Sequence, residues 1–430
     1  MLEAPRKKID VTLNAYLIPL YSWQNLFKMN VRFLFLFLLI GLRLSAQSIN
    51  TNLAPQNNNN AVIPNESLNE EKMDTVSMKS EQEKREESIQ QKKQSVQLKD
   101  DASTSFGYST GVSQQIQQTS TLFVTTRQQA STQRTQRTPS AVQQEQMNQY
   151  VLLLSQAAPE SFEHHYYSYL AGNYNIELID HLRKAEALRP ENSDVHIQIA
   201  AYDFITNNLN EARKYLKKLH TTGRINEVML AYGKDLMRSV PENGYLITHG
   251  FEDTYAAYYA QIFMNERSDV TIISLDFLQS EAYRSALTTN GFTLPNSSVI
   301  DVAYLTEFCA LNATKKLSVS LTVPKEYLVP NQQHMFVTGL VMEYHAERCT
   351  GIFERNEQLW NTKLSAKITT VGRDKARSLS ANYLPMLLLL RKEYQTRGQQ
   401  DEVQKIDVAI DQIAVQCGKY EQVQSIKANY

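Results

Sequence analysis

Cysteine is scarce in this chain. Its 430 residues include three, Cys309, Cys349 and Cys417, too few and too scattered for a disulfide framework or a cysteine-based zinc site. An odd number also leaves a thiol free within any one chain. Glycine and proline are scarce too, at 14 and 12 residues, about half of average usage. That argues against an all-β protein full of tight turns and favours helices. Net charge is nearly absent, with 44 Lys and Arg against 45 Asp and Glu. The balance is that of neither a basic nucleic-acid binder nor an acidic tail protein, and no nucleic-acid partner is expected.

Long hydrophobic runs are missing with one exception near the amino terminus. Residues 33–42 read FLFLFLLIGL, preceded by Arg32 and followed by Leu44-Ser45-Ala46-Gln47. A basic flank, a short apolar stretch and a small residue at the cut predict a signal peptide over 29–46, cleaved after Ala46, with 1–28 as an upstream extension. The run is shorter than the roughly 20 residues that span a bilayer. A membrane anchor is the alternative reading, because 11–42 is mostly apolar. No cysteine stands at the cut, so a lipoprotein is not expected. The next apolar run covers only 386–390. A mature chain without a transmembrane helix, periplasmic or secreted, is the expectation.

Large apolar residues are also sparse over 47–147. Asn57–Asn60 is an asparagine run, 66–101 is dense in Glu, Lys, Gln and Ser, and 113–146 is rich in Gln, Thr and Ser, with Arg127, Arg134 and Arg137 among them. So little apolar surface cannot offset the entropy of ordering the chain. The composition predicts a disordered tether, with a transient helix over 80–98. Asp74-Thr75-Val76 resembles the O-glycosylation acceptor of Bacteroidota.

What is present is helical periodicity on both sides of an α/β stretch. Over 148–239 apolar residues recur at helical spacing, such as Val195, Ile199, Tyr202 and Ile205, then Leu209, Ala212, Tyr215, Leu216 and Leu219. Gly172-Asn173-Tyr174-Asn175 aligns with Asn207-Asn208-Leu209-Asn210 at an offset of 35 residues. That is close to the tetratricopeptide period of about 34. Ala185, Ala187 and Pro190 fit the pattern, and Ser193 is a candidate N-cap. The tryptophan and Leu-Gly pair of that consensus are missing. Within 351–430, residues 384–418 repeat the theme as a hairpin turning at Gly398.

Between these flanks, over 240–350, the period changes. Residues 245–248 and 270–275 read as strands with a helix over 253–265 between them. Helices follow over 280–289 and 298–312, a strand over 317–323 and another over 335–344. The alternation predicts a small, mainly parallel sheet of three or four strands with flanking helices. Ligands of such sheets bind beyond the carboxyl ends of the strands. The residues placed there are His249, Glu252, Asp253, Asp276, Thr322 and Lys325. Carboxylates beside a histidine suit acid–base work or a cation, and the lysine suits an anion. Each has a structural reading too, with Asp253 as a helix cap, Asp276 in a loop and Lys325 in a solvated turn.

Other candidates are thinner. His164 and His165 are adjacent, so they cannot share one helical face. His345 and Cys349 are four apart and would touch one metal if the segment were helical. Tyr255, Tyr258 and Tyr259 crowd the first helix of the α/β stretch, where packing with a wet hydroxyl is the usual role. No G-x-S-x-G, P-loop, G-x-G-x-x-G or H-E-x-x-H occurs. No metal and no cofactor is expected.

The segment VPENGYLITHGFEDTYAAYYAQIFMNERSDVTIISLDFL, residues 240–278, resembles the soluble module of the DUF2723 family, membrane protein O-mannosyltransferase-like enzymes of the TMEM260 type with related Bacteroidota proteins. Pro241, Asn243, Leu246, Thr248, Gly250, Asp253, Thr254, Tyr259, Gln261, Arg267, Asp269, Val270 and Leu278 stand where that family's pattern has them. Phe251-Glu252 replaces its usual Asp-Asn pair, and its multi-spanning membrane region is absent from this sequence. The resemblance implies the fold over about 240–418, not the transferase activity. The expectation is an exported, non-catalytic interaction protein whose helical repeats hold an envelope partner. The alternative is a glycan- or nucleotide-sugar-handling accessory domain.

Overall fold

A computed structural model describes residues 109–347, 349–364 and 379–429. The signal peptide, the helix expected over 80–98 and the Asp74-Thr75-Val76 triplet lie outside the described residues.

The expected tether over 47–147 is corrected from residue 109 onward. Thr110–Ser131 (α1) and Ala141–Ala157 (α2) are helices. α1 buries Ile116, Thr119, Ser120, Phe123, Thr126 and Ala130, a helical stripe that alternates apolar and hydroxyl side chains. Phe123 stacks on Tyr167 at 4.4 Å between ring centres. α2 starts with a capping box between Ser140 and Gln143, which satisfies backbone donors that a helix start leaves open.

Five further helices continue the array: Phe162–Ala171 (α3), Ile179–Leu188 (α4), Ser193–Ile205 (α5), Leu209–Thr221 (α6) and Glu227–Ser239 (α7). The α3–α4 and α5–α6 turns use left-handed residues, Asn173 and Tyr174 in one and Asn207 in the other. The cap of α5 is Asn192 rather than Ser193, its side chain accepting from the N–H groups of Asp194 and Val195.

The α/β unit contains Tyr245–Thr248 (β1), Gly250–Met264 (α8), Thr271–Ser274 (β2), Glu281–Thr289 (α9), Val302–Leu311 (α10), Leu317–Ser320 (β3), Lys325–Leu328 (α11), Met335–Thr338 (β4) and Val341–Tyr344 (β5). The expected mainly parallel sheet of three or four strands is corrected to a mixed five-stranded sheet of order β2-β1-β3-β5-β4. β1 is parallel to β2 and β3, while β5 is antiparallel to β3 and β4. The single strand expected over 335–344 is a hairpin, because Gly339, at φ 58°, turns the chain back in the two-residue link before Val341. β3 and β5 are buried along their whole length, as for strands covered on both faces.

One core joins α3–α7 to the sheet, while α1 and α2 pack around a separate cluster that includes Phe123, Met147 and Tyr167. At Gly233 of α7 an added Cβ would lie 2.7 Å from the backbone of Ala256 in α8, so only glycine permits this helix contact. Beyond the sheet come Ile352–Thr362 (α12), Leu384–Thr396 (α13), Gln400–Gln416 (α14) and Tyr420–Ala428 (α15). The turn between α13 and α14 has Gly398 at φ 71°. Just ahead of α13, the Tyr383 hydroxyl donates to the buried Asp235 of α7 at 2.6 Å, which ties the carboxyl-terminal helices to the array.

Candidate functional site

β1 sits between two parallel neighbours, and the chain leaves its carboxyl end through His249 and Gly250 into α8. Gly250 has φ 81°, and its N–H donates to Asp276 Oδ2 at 2.7 Å. Asp253 is not the helix cap. His249 holds that position, and Asp253, one turn later, accepts the His249 N–H on both oxygens at 3.1 and 2.9 Å. Thr322 Oγ1 also donates to Asp253 Oδ2. The Asp253 side chain is sealed from solvent. Burial pushes its carboxyl up to about 7, against the pull of the Thr322 and His249 hydrogen bonds.

Asp276 follows β2 and is held from the far end of the described chain. The connector between α1 and α2 crosses the carboxyl edge of the sheet. The Arg137 N–H donates to the Ile300 carbonyl at 2.7 Å, and the Val302 N–H donates to the Thr135 carbonyl at 3.1 Å. This brings Arg137 Nε to 2.8 Å and Nη2 to 2.6 Å from Asp276 Oδ1. Burial raises the Asp276 carboxyl, but Arg137, His249 and the Gly250 N–H together hold it below the usual carboxylate range. His249 is pushed down to about 4 by burial and by Arg137, so its ring is neutral at neutral pH. Its Nε2 is buried without a partner among the described residues.

In front of Asp276 lies a cavity of about 220 Å³. Arg127 enters it from α1, with Nη1 2.5 Å from Asn173 Oδ1. Asn173 is steadied by its own bond to Gln144 Oε1 at 2.6 Å. No carboxylate pairs with Arg127 among the described residues, and burial lowers the affinity of its guanidinium for its proton. Tyr174, Phe251, Phe277, Gln198 and Gln279 are among the other lining residues. Burial, then the nearby Asp276, push the Tyr174 hydroxyl up to about 12.

Of the residues expected at the strand ends, Asp276 lines the cavity. His249 and Asp253 lie behind it in the structural network, and Glu252 is exposed on the first turn of α8. Lys325 opens α11 and takes no part in the cavity wall, while its neighbour Glu326 pairs with Arg134 at 2.9 Å. The lining residues outside that expected set include Arg127, Arg137, Tyr174, Gln198 and Gln279. The two arginines stood out in a Gln/Thr/Ser-rich stretch but were assigned to the tether.

The remaining candidates have structural partners. His165 Nδ1 lies 3.0 Å from His181 Nδ1, and His164 packs edge-on to the same ring. Neither His345 nor Cys349 lies in a helix. His345 Nε2 and Arg355 Nη1 lie 2.9 and 2.7 Å from Glu343 Oε2. Among the described residues no group of three or more His, Cys, Asp or Glu side chains is arranged to hold a metal ion.

Many of the residues that carried the family resemblance meet at the amino edge of the sheet. Arg267 Nη1 donates to the carbonyls of Met237 and Val240 at 3.1 and 2.7 Å, and Nη2 to that of Pro241 at 3.0 Å. Asp269 pairs with Arg267 and accepts the Asn243 N–H at 2.8 Å. Gln261 donates to the carbonyls of Arg267 and Val270. These side chains therefore stitch α7, β1 and α8 together, which is a folding role.

Residues 229–338, from within α7 to the end of β4, match the family model described as TMEM260-associated domain 2. The match supports the TMEM260-like resemblance over that segment. No curated protein and no solved structure matches the chain.

Proposed function

We propose that this chain is an exported, non-catalytic interaction protein of a bacterial envelope, in which tetratricopeptide-like hairpins flank an α/β unit akin to the soluble module of the DUF2723 family. One observation carries this reading. The two buried carboxylates at the strand ends are already held, Asp253 by the His249 N–H and Thr322 and Asp276 by Arg137 and Gly250. Both act as fastenings of the fold. The sequence features of the amino terminus support export, and the Asp74-Thr75-Val76 triplet supports a Bacteroidota setting. Helical arrays present extended surfaces for partners. Here Val142, Leu152 and Leu153 of α2 and Val408 of α14 are exposed.

The test is affinity capture from an envelope extract with the wild type and with Leu153→Asp and Val408→Asp variants. Loss of the captured partners at unchanged melting temperature supports the reading. The same partners captured by all the proteins overturns it. A second reading, a glycan- or nucleotide-sugar-handling accessory domain, is favoured by the cavity at Arg127 together with the family match over 229–338.

A further inference from the structure

We propose that the cavity at the carboxyl edge of the sheet is a binding site for a compact organic oxyanion, a carboxylate or phosphate monoester on a body no larger than a monosaccharide, with Arg127 as its anchor. The inference deepens the second reading above, and it stands or falls independently of the scaffold reading.

The charge balance comes first. The cavity wall holds the guanidinium groups of Arg127 and Arg137 and one carboxylate, Asp276. Arg137 spends its Nε and Nη2 donors on Asp276, and its Nη1 on the Ser131 carbonyl at 3.0 Å. Arg127 is the cation left over. Its Nη1 donates to a neutral amide oxygen, that of Asn173. A largely desolvated guanidinium hydrogen-bonded to a neutral amide, with the charge of the nearby Asp276 already taken up by Arg137, is poorly compensated. An anion arriving there gains charge-assisted, paired hydrogen bonds in surroundings of low dielectric constant.

The rest of the wall points the same way. The Gln198 and Gln279 amides line the space, and Gln279 Nε2 donates to the Asp276 carbonyl at 3.1 Å. The first turn of α8, at Gly250 and Phe251, also borders the space, and a helix amino end favours negative charge. The Tyr174, Phe251 and Phe277 rings offer apolar faces to the ligand body. A volume near 220 Å³ falls below the roughly 300–1,000 Å³ of drug-sized pockets, which limits the ligand to a small molecule.

The test is isothermal titration of the full chain with inorganic phosphate, a hexose 6-phosphate, a hexuronate and a neutral hexose. The expected result is binding of at least one anionic probe and none of the neutral hexose, with affinity falling about tenfold or more in Arg127→Gln, the scale of a lost charged hydrogen bond. Which anion binds distinguishes a carboxylate from a phosphate ligand. Binding of inorganic phosphate but neither sugar anion keeps the oxyanion anchor and overturns the sugar-handling reading. A second variant, Gln198→Glu, places a competing carboxylate in the cavity while keeping Arg127. It should abolish anion binding without lowering the melting temperature. No binding by any anionic probe, or equal affinity in the wild type and both variants, overturns the site.

Discussion

Arg137 and Asp276 are 139 positions apart in sequence, yet Nε and Nη2 of the arginine lie 2.8 and 2.6 Å from a single oxygen of the aspartate. Both side chains are about nine-tenths buried, at 11% and 10% exposure. The pair fastens the α1–α2 connector, and with it the first helical hairpin, across the carboxyl edge of the sheet. It also fixes one wall of the cavity that Arg127 enters.

Arg137→Ala therefore strands a buried carboxylate that keeps the backbone N–H of Gly250 as a donor. Removing one partner of a buried pair typically destabilises by about 3–5 kcal/mol, and that is the expected loss in urea denaturation. Asp276→Asn should lose less, since the amide keeps an acceptor for the arginine. The double variant should be more stable than the sum of the single losses, because the stranded charge is gone. Strict additivity, within about 0.5 kcal/mol, would show that the pair does not couple these segments.

Arg267 is the corresponding clamp at the other edge. It adopts φ 53° and donates to the carbonyls of Met237, Val240 and Pro241 while pairing with Asp269. A lysine carries a single ammonium that cannot reproduce this fork. Arg267→Lys is expected to destabilise by about 2 kcal/mol or more, from orphaned carbonyls and a lost charged bond. A melting temperature equal to that of the wild type would remove the clamp from the account of the fold.

The strands and helices around β1, β2 and β3 were legible because their periods are clean and their turns carry the expected residues. The hairpin of β4 and β5 was not, since both halves are apolar and the reversal rests on Gly339 alone. α1 was hidden for a different reason. Its buried stripe places Thr119, Ser120 and Thr126 beside Ile116 and Phe123, and a reading that weighs large apolar residues sees only a polar segment. The candidate site inherits that difficulty. Asp276 follows from the rule that parallel strands present ligands at their carboxyl ends. Its partner Arg137 and the cavity's Arg127 come from the segment whose helix was hidden, and no local pattern announces a pairing across so much chain.

Asp253 and His249 give a pH test in which the signs are opposite. Asp253 ionises near 3.8 in the unfolded chain and at about 7 in the fold. Between those values the folded state holds the extra proton, so this group makes stability fall as pH rises. His249 ionises near 6.5 when unfolded and at about 4 in the fold. Between those values the unfolded state holds the extra proton, so this group makes stability rise with pH. In the wild type the two contributions oppose each other over the shared window from about 4 to about 6.5. Asp253→Asn removes the falling contribution, so its stability relative to wild type should climb between about pH 4.5 and 7. His249→Gln removes the rising one, so its relative stability should drop between about pH 4 and 6.5. Urea denaturation of the three proteins at several pH values measures both slopes. Parallel stability curves for all three would mean that neither group carries its buried ionisation into the energetics of the fold.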